Sequence, residues 1–200
     1  MSLDFLTDDL LIKNKSFDGP VVVTGAGGCI AAWVLTILHR SHIPCIAIDL
    51  TDNKNRLELL LGNETNKIDW KVCDITHLEK LSKIITSYKP SAIIHLAGLQ
   101  VPFCAENPAL GARVNVEGTI NILEIARKTN IKRTVYASSV AALGLPPNGP
   151  WKETLYGAYK LANEHTAFVY WSDWQVPSIG IRPNIVYGLS LIHISEPTRH

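Results

Sequence analysis

The sequence predicts an α/β protein in which an open, parallel, doubly wound sheet carries helices on both faces. Short apolar runs alternate with longer helical patterns through most of the 200 residues, as strands joined by helical crossovers do. The first run, Val21-Val22-Val23-Thr24, halts at Gly25-Ala26-Gly27-Gly28 and resumes with helical spacing from Cys29, so it reads as strand, tight turn and helix. A second run ends on Asp49, 21 residues beyond Gly28, where a sheet of this class places an acid beside a bound ribose.

Length and composition agree with one such domain. Hydrophobic residues make up 46% and charged residues 18% of the chain, which suits a globule with a sizeable core and excludes a disordered chain. Nineteen basic against eighteen acidic side chains leave a formal charge of +1, so no overall field recruits nucleic acid or an anionic membrane. Cys29, Cys45, Cys73 and Cys104 form no C-x-x-C pair, which reads as reduced thiols of a cytoplasmic protein and not as a disulfide framework or zinc site. His39 and His42 have no third ligand near them in sequence, so no metal is expected. The N-terminus lacks the basic stretch and apolar core of a leader, and the most apolar helical run, residues 30–38, is too short to span a bilayer.

Taken in order, residues 1–19 form an arm in which Leu3, Phe5, Leu6, Leu10, Leu11 and Ile12 recur at roughly helical spacing; it either docks as a short extra helix or runs over the surface. At the bend, Gly25 permits the turn, Gly28 lets a pyrophosphate reach backbone, and the small Ala31 lets helix pack on strand, with Gly27, Cys29 and Ile30 completing the helix N-terminus where phosphates sit. The helix extends over 29–41 and a second buried strand over 43–48, up to Asp49. An acid there accepts hydrogen bonds from both ribose hydroxyls and repels a 2′-phosphate, which favours NAD over NADP. Arg56 lies beyond the strand end, and the competing role for Asp49 is a helix N-cap or turn residue. Residues 69–73 follow as a third strand, then Asp74-Ile75-Thr76 and a helix over 77–88. Residues 91–98 give a fourth strand that runs into the small-residue turn Leu96-Ala97-Gly98.

An amphipathic pattern from Asn107 to Arg127 is the next helix. Gly118 inside it costs about 1 kcal/mol relative to Ala, so close packing is its natural reason. Residues 133–137 form a fifth strand that delivers Ser138 and Ser139 at its carboxyl end, the end where ligands bind in open parallel sheets. The Pro- and Gly-rich stretch 143–150 is neither helix nor inner strand; it serves as a substrate-proximal lid or as a plain surface loop.

Tyr156-Gly157-Ala158-Tyr159-Lys160 then opens a helix with Tyr156 and Lys160 one turn apart on one face. A phenol titrates near pH ~10 unperturbed, and a cation one turn away favours the phenolate, so Tyr156 is expected to exchange protons with a hydroxyl nearer neutrality. Lys160 would also bind the nicotinamide ribose, and Ser139 would direct the same substrate oxygen. A dinucleotide-binding sensor or scaffold without chemistry would share the glycine bend and Asp49, but has no need of this pair.

In this order, the glycine bend, Asp49, Asp74-Ile75, His95-Leu96-Ala97-Gly98, Asn115-Val116-Glu117-Gly118-Thr119, Ser138-Ser139 and Tyr156-Gly157-x-x-Lys160 resemble the extended branch of the short-chain dehydrogenase/reductase superfamily, the NAD-dependent epimerase/dehydratase family. The resemblance implies a Rossmann-type sheet of about six strands in the order 3-2-1-4-5-6, NAD as cofactor, and Ser139, Tyr156 and Lys160 as the catalytic set. It places Asp74 and Ile75 at the adenine, the carboxylate taking the amino group and the aliphatic chain covering the ring, with capping of the following helix as the other role open to Asp74. Leu96, Ala97 and Gly98 would admit the middle of the cofactor to backbone, and Asn115 and Arg182 also belong to its site. Ser139-Val140-Ala141-Ala142-Leu143-Gly144 resembles the S-x-x-x-x-G of sugar-nucleotide epimerases, and Arg182-Pro183-Asn184-Ile185-Val186-Tyr187-Gly188 matches their R-P-x-x-V-Y-G.

There are departures. Ala31 replaces the usual third glycine, and Tyr159 stands where Ser is common. Val140 and Ala141 occupy the positions of the dehydratases' Asp-Glu pair, which argues against elimination of water. Epimerisation or net oxidation and reduction at a hydroxyl of a sugar or nucleotide-sugar is left. Many relatives pair their fourth and fifth helices into a homodimer, and Trp171 and Trp174 near the end of the fifth belong to such a contact or to the core.

Beyond Gly188, Leu189-Ser-Leu-Ile-His-Ile-Ser-Glu-Pro-Thr-Arg199 has no counterpart in the family and resembles the translation of a transposase sequencing adapter. The expected organisation is therefore an arm over 1–19, a truncated NAD-binding domain over 20–188 and a non-native tail over 189–200, with most of the substrate lobe missing. Expressed as written, the polypeptide is expected to be poorly soluble or inactive, with apolar sheet surface uncovered; soluble expression with full turnover on a sugar nucleotide is the result that contradicts this.

Overall fold

A parallel strand covered on both faces has no polar side to show, and its residues run apolar without alternation. β1 (Val21–Thr24) follows this rule, being buried at every position. The computed structural model describes residues 8–13, 17–144, 153–184 and 186. Leu3, Phe5 and Leu6 of the arm, most of the 143–150 stretch, Ile185, Tyr187, Gly188 and the 189–200 tail lie outside the described residues.

After β1 come α1 (Cys29–Arg40), β2 (Cys45–Asp49), α2 (Asn55–Leu61), β3 (Asp69–Val72), α3 (Leu78–Tyr88) and β4 (Ala92–His95). The second half holds α4 (Val101–Glu106), α5 (Pro108–Ala112), a π-helical segment Arg113–Glu117, α6 (Gly118–Thr129), β5 (Thr134–Ala137), α7 (Leu155–Trp174) and β6 (Ser178–Ile181). All pairings are parallel and the strand order is β3-β2-β1-β4-β5-β6, the Rossmann-type order expected.

The two faces separate cleanly. Val21 and Val23 pack with Leu35, Leu38, Leu57 and Leu61 of α1 and α2, whereas Val22 joins Leu81, Ile85, Ile122, Leu123, Ala167 and Tyr170 of α3, α6 and α7. Ala31 is buried in the first of these clusters, as the small residue that seats α1 on the sheet. The arm docks in part: Asp8–Leu10 forms a 3₁₀ turn, Ile12 N–H donates to Ser41 Oγ at 2.9 Å, and Ile12 and Phe17 pack on the α1 side of the sheet. Beyond β1 that side is open among the described residues: a groove of about 410 Å³ is lined by Ile12, Phe17, Ile94, Val135 and Ile179. Ile179 and Ile181 of the edge strand are 64% and 55% exposed. Trp171 and Trp174 are half exposed and not part of the core, Trp174 meeting Tyr170 edge-on beneath Arg127. No described helix is long and apolar enough to cross a membrane.

Two glycines are dictated by contact. Gly25 has φ +70°, and a Cβ there would lie 2.6 Å from Ala97 N and 2.8 Å from Leu96 C. A Cβ at Gly118 would run into Ile75 Cδ1, which is the close packing expected of a glycine inside a helix. Gly25→Ala is therefore expected to destabilise the protein by about 2 kcal/mol or more through left-handed strain and backbone overlap, read as a lowered urea midpoint at unchanged slope.

Candidate functional site

Three strand ends converge on one rim of the sheet. At the first, the glycine bend is held from two sides. Gly28 N–H donates to Gly25 O at 2.9 Å and Ala26 N–H to Ile48 O at 3.2 Å. Asp49 Oδ2 accepts from Gly27 N–H at 3.0 Å and Oδ1 from Thr51 N–H at 3.3 Å. The competing turn role for Asp49 is thus realised alongside its place at the bend, while the helix-cap role is not, since α2 is capped at Lys54. Arg56 Nη1 donates to Gly27 O at 2.8 Å, so an acid and a guanidinium flank one glycine. Cys29 and Ile30 form the first turn of α1 directly behind it.

The second strand end is laced to the first. Thr24 Oγ1 pairs with His95 Nδ1 at 2.7 Å, and His95 Nε2 with Thr119 Oγ1 at 3.2 Å; Leu96 N–H donates to Thr24 O at 3.1 Å. Burial, aided by the Lys160 charge, pushes His95 down to about 3, so it is a neutral hydrogen-bonding link. Across from it, Asn115 is fully buried in the π-helical segment. Its Nδ2 donates to Leu99 O and Gly111 O, both at 3.1 Å, and its carbonyl receives Thr119 Oγ1 at 2.7 Å and Asn163 Nδ2 at 2.9 Å. Its Oδ1 has no hydrogen-bond partner among the described residues. A Cβ on Gly98 would lie 2.8 Å from that oxygen and 3.5 Å from Lys160 Nζ, so Gly98, Asn115 and Lys160 line one small space.

At the third strand end, α7 starts from Thr154, whose Oγ1 accepts from Gly157 N–H at 3.0 Å. A Cβ on Gly157 would lie 2.5 Å from Ala141 O, so glycine lets this first turn press against the 3₁₀ turn Val140–Leu143 that Ser139 caps. Tyr156 lies beside Ser139, and Lys160 Nζ sits 5.5 Å from the Tyr156 ring centroid and donates to Ala137 O at 2.7 Å. Ser139, Tyr156 and Lys160 thus lie close together.

Their acidities differ from expectation. Burial pushes the Tyr156 phenol above its ordinary value, against the pull of the Ser139 hydroxyl, and Lys160 is pushed down to about 8 by burial. The cation does not acidify the phenol here, because both groups are withdrawn from water and the ammonium is engaged by Ala137 O. Three further site expectations are corrected or narrowed. Ile75 is 6% exposed and packed in the core beside Gly118, so its aliphatic chain is not a free cover for a ring. Asp74 Oδ1 accepts from Thr76 N–H and Thr76 Oγ1, both at 2.9 Å, and the cap position of α3 is His77, so Asp74 makes a turn ahead of the helix instead of capping it. Arg182 is held by Glu164 at 2.7 and 2.5 Å, so its guanidinium is engaged in an ion pair on α7. Tyr159 donates to Pro108 O at 2.9 Å and ties α7 to the start of α5. Asn163 and Glu164 were missed in the sequence, although Glu164 stands one turn beyond Lys160 on the same stripe.

The profile of the NAD dependent epimerase/dehydratase family matches residues 21–199, which includes the stretch beyond Gly188 for which no counterpart was expected. The chain belongs to that family. UDP-glucose 4-epimerase from Mycolicibacterium smegmatis is 28% identical over 176 residues, spanning 84% of this chain and 56% of the relative. UDP-glucose 4-epimerase 2 from Oryza sativa subsp. japonica is 29% identical, over 72% of this chain and 38% of its own length. Among solved structures, L-threonine dehydrogenase from Clostridium difficile is similar with a TM-score of 0.68 at 27% identity, covering 82% of this chain and 52% of that one. The NAD complex of UDP-glucose 4-epimerase from Thermus thermophilus gives 0.70 at 23% identity, over 82% and 54%, and speaks for the fold. The chain spans about half the length of the curated relatives it matches.

Burial of His95 is expected to make this fold acid-sensitive. His95 binds a proton near its ordinary value in the unfolded chain but near about 3 when folded. The unfolded state therefore holds more protons in between, and stability falls as pH drops through that window, by up to about 1.4 kcal/mol per pH unit. Urea midpoints are expected to fall from about pH 7 to about pH 5, and His95→Gln to remove that part of the slope.

Proposed function

We propose that the full-length protein is an NAD-dependent oxidoreductase or epimerase acting on a hydroxyl-bearing carbon of a sugar or nucleotide-sugar, with Ser139, Tyr156 and Lys160 as its catalytic set. The observation that carries the reading is the meeting of these three side chains beside the glycine bend. NAD suits the residues present. A Cβ at Gly27 or Gly28 would lie 3.1 Å from Asn53 O or 3.0 Å from Gly25 O, a tight fit that bare backbone avoids, and Asn115 Oδ1 is a buried acceptor without a donor among the described residues. Gly25, Gly27, Gly28 and the first turn of α1 would hold the pyrophosphate, Asp49 the adenosine ribose, Asp74 the adenine, and Asn115, Tyr156 and Lys160 the nicotinamide end. Bound there, NAD supplies a hydride acceptor for the carbon that bears the reacting hydroxyl.

The chain's own residues handle the proton. Ser139 Oγ and Tyr156 Oη address one substrate oxygen, Ser139 directing it and Tyr156 Oη taking its proton in oxidation or returning it in reduction. The raised phenol keeps its proton at neutral pH, the form that donates in reduction; oxidation needs the phenolate, which forms at higher pH, and the Lys160 ammonium is anchored on Ala137 O. Val140 and Ala141, in place of an acid pair, favour epimerisation or simple redox chemistry over loss of water. The names of the relatives, UDP-glucose 4-epimerases and threonine dehydrogenases, support both outcomes. A homodimer through α6 and α7, with the exposed Leu161, Phe168 and Trp171 on α7, belongs to the same reading.

Tyr156→Phe is expected to keep NAD affinity within about twofold while turnover falls by about 100-fold or more. Fluorescence titration with NADH and steady-state kinetics on UDP-sugars measure the two, and unchanged turnover removes Tyr156 from the mechanism.

A further inference from the structure

Three successive residues at the end of β5 are each met by one stripe of α7. Lys160 Nζ donates to Ala137 O at 2.7 Å, Ser138 Oγ donates to Glu164 Oε1 at 2.5 Å, and Ser139 lies beside Tyr156. Tyr156, Lys160 and Glu164 succeed one another at single-turn spacing. Two of these belong to the proposed chemistry; Glu164 touches none of its reacting groups.

Glu164 does more than hold Ser138. Its two oxygens take the Arg182 guanidinium as a fork, at 2.7 and 2.5 Å, the geometry that fixes direction as well as distance. Arg182 lies just beyond β6, and the residues on either side of it grip those flanking Ser139: Ser138 N–H donates to Ile181 O at 2.8 Å and Val140 N–H to Pro183 O at 3.3 Å. Ser138 is 1% exposed, so its hydroxyl would lose its acceptor if Glu164 left, and a buried hydroxyl without a partner is costly. Both neighbours of Ser139 are thus pinned, Ser138 by Glu164 itself and Val140 by Pro183, next to the arginine that Glu164 holds.

We propose that Glu164 is a positioning residue: by gripping Ser138 and Arg182 together it sets the Ser139 hydroxyl against the Tyr156 phenol. The inference rests on Ser139 and Tyr156 acting on one substrate oxygen. Loosening the grip lets the strand end turn, parts the Ser139 hydroxyl from the Tyr156 phenol and leaves burial to raise the phenol further. The effect falls on chemistry and not on the glycine bend, which shares no contact with Glu164 in the hydrogen bonds described.

The test compares Glu164→Ala, Ser138→Ala and Tyr156→Phe with the parent in the full-length protein. NADH affinity by fluorescence, kcat and KM separately, the pH profile of kcat/KM and the unfolding temperature are measured. Glu164→Ala and Ser138→Ala are expected to keep NADH affinity within about twofold, to lower kcat by about 10- to 100-fold, and to move the limb governed by Tyr156 upward by about half a pH unit or more. A merely structural role lowers the unfolding temperature without moving that limb, and this result, or a kcat within about twofold of the parent, overturns the proposal. If Glu164→Ala does not fold, Ser138→Ala decides the matter, because it removes one hydroxyl and keeps the Glu164–Arg182 pair. A silent Glu164 in an enzyme that Tyr156→Phe abolishes overturns this inference alone; a silent Tyr156→Phe overturns the chemistry and this inference with it.

Discussion

The site depends on one buried hydrogen bond, from the Lys160 ammonium to the carbonyl of Ala137. Withdrawing an ammonium from water costs several kcal/mol, and that cost is visible in a Lys160 pushed down to about 8. It is offset by the Ala137 carbonyl and by the ring of Tyr156, whose centroid lies 5.5 Å from the charge. Because the bond joins the middle of a helical stripe to the last residue of a strand, it allows α7 a single register across β5. Tyr156 then falls on Ser139 and Glu164 on Ser138.

The opposite side of the rim is fixed by a neutral chain of hydrogen bonds. Thr24, His95 and Thr119 connect the strand before the glycine bend, the strand beside it and the helix beyond. A charged imidazole would be repelled by Lys160, and burial keeps it uncharged. Around Gly27 the balance is different: Asp49 accepts from its N–H and Arg56 donates to its carbonyl. The acid that would face a ribose is thus already held in place by the bend it serves, which is preorganisation of the kind that lowers the cost of binding.

Much of this was legible in the residues. Strands followed from short apolar runs punctuated by glycine and proline, because a doubly covered parallel sheet leaves its strands little choice of composition, while their order came from the family resemblance. Tyr156 and Lys160 were legible as a pair because helix pitch alone brings them together, whereas the place of Ser139 beside them came from the resemblance. The features that could not be read depend on distance in space. The burial of Ile75 against Gly118 joins residues far apart in sequence, and the engagement of Arg182 by Glu164 spans two elements. The direction of the Tyr156 shift reflects how deeply α7 sinks, which a charge one turn away does not reveal. The π-helical segment Arg113–Glu117 likewise has no marker in an amphipathic pattern that looks continuous from Asn107 to Arg127.

That segment has a consequence for how one rod serves two walls. A π turn adds one residue of winding, a rotation of about 100°, between the helix on its N-terminal side and the helix on its C-terminal side. On its near side Gly111 abuts the Tyr159 ring of α7, and on its far side Ile122, Leu123 and Ile125 enter the core of the sheet. Between them, the Asn115 carbonyl takes two side-chain donors, from Thr119 and Asn163. Shortening the segment by one residue would not loosen the rod but re-aim it, swinging the Asn115 amide out of the chamber it shares with Gly98 and Lys160.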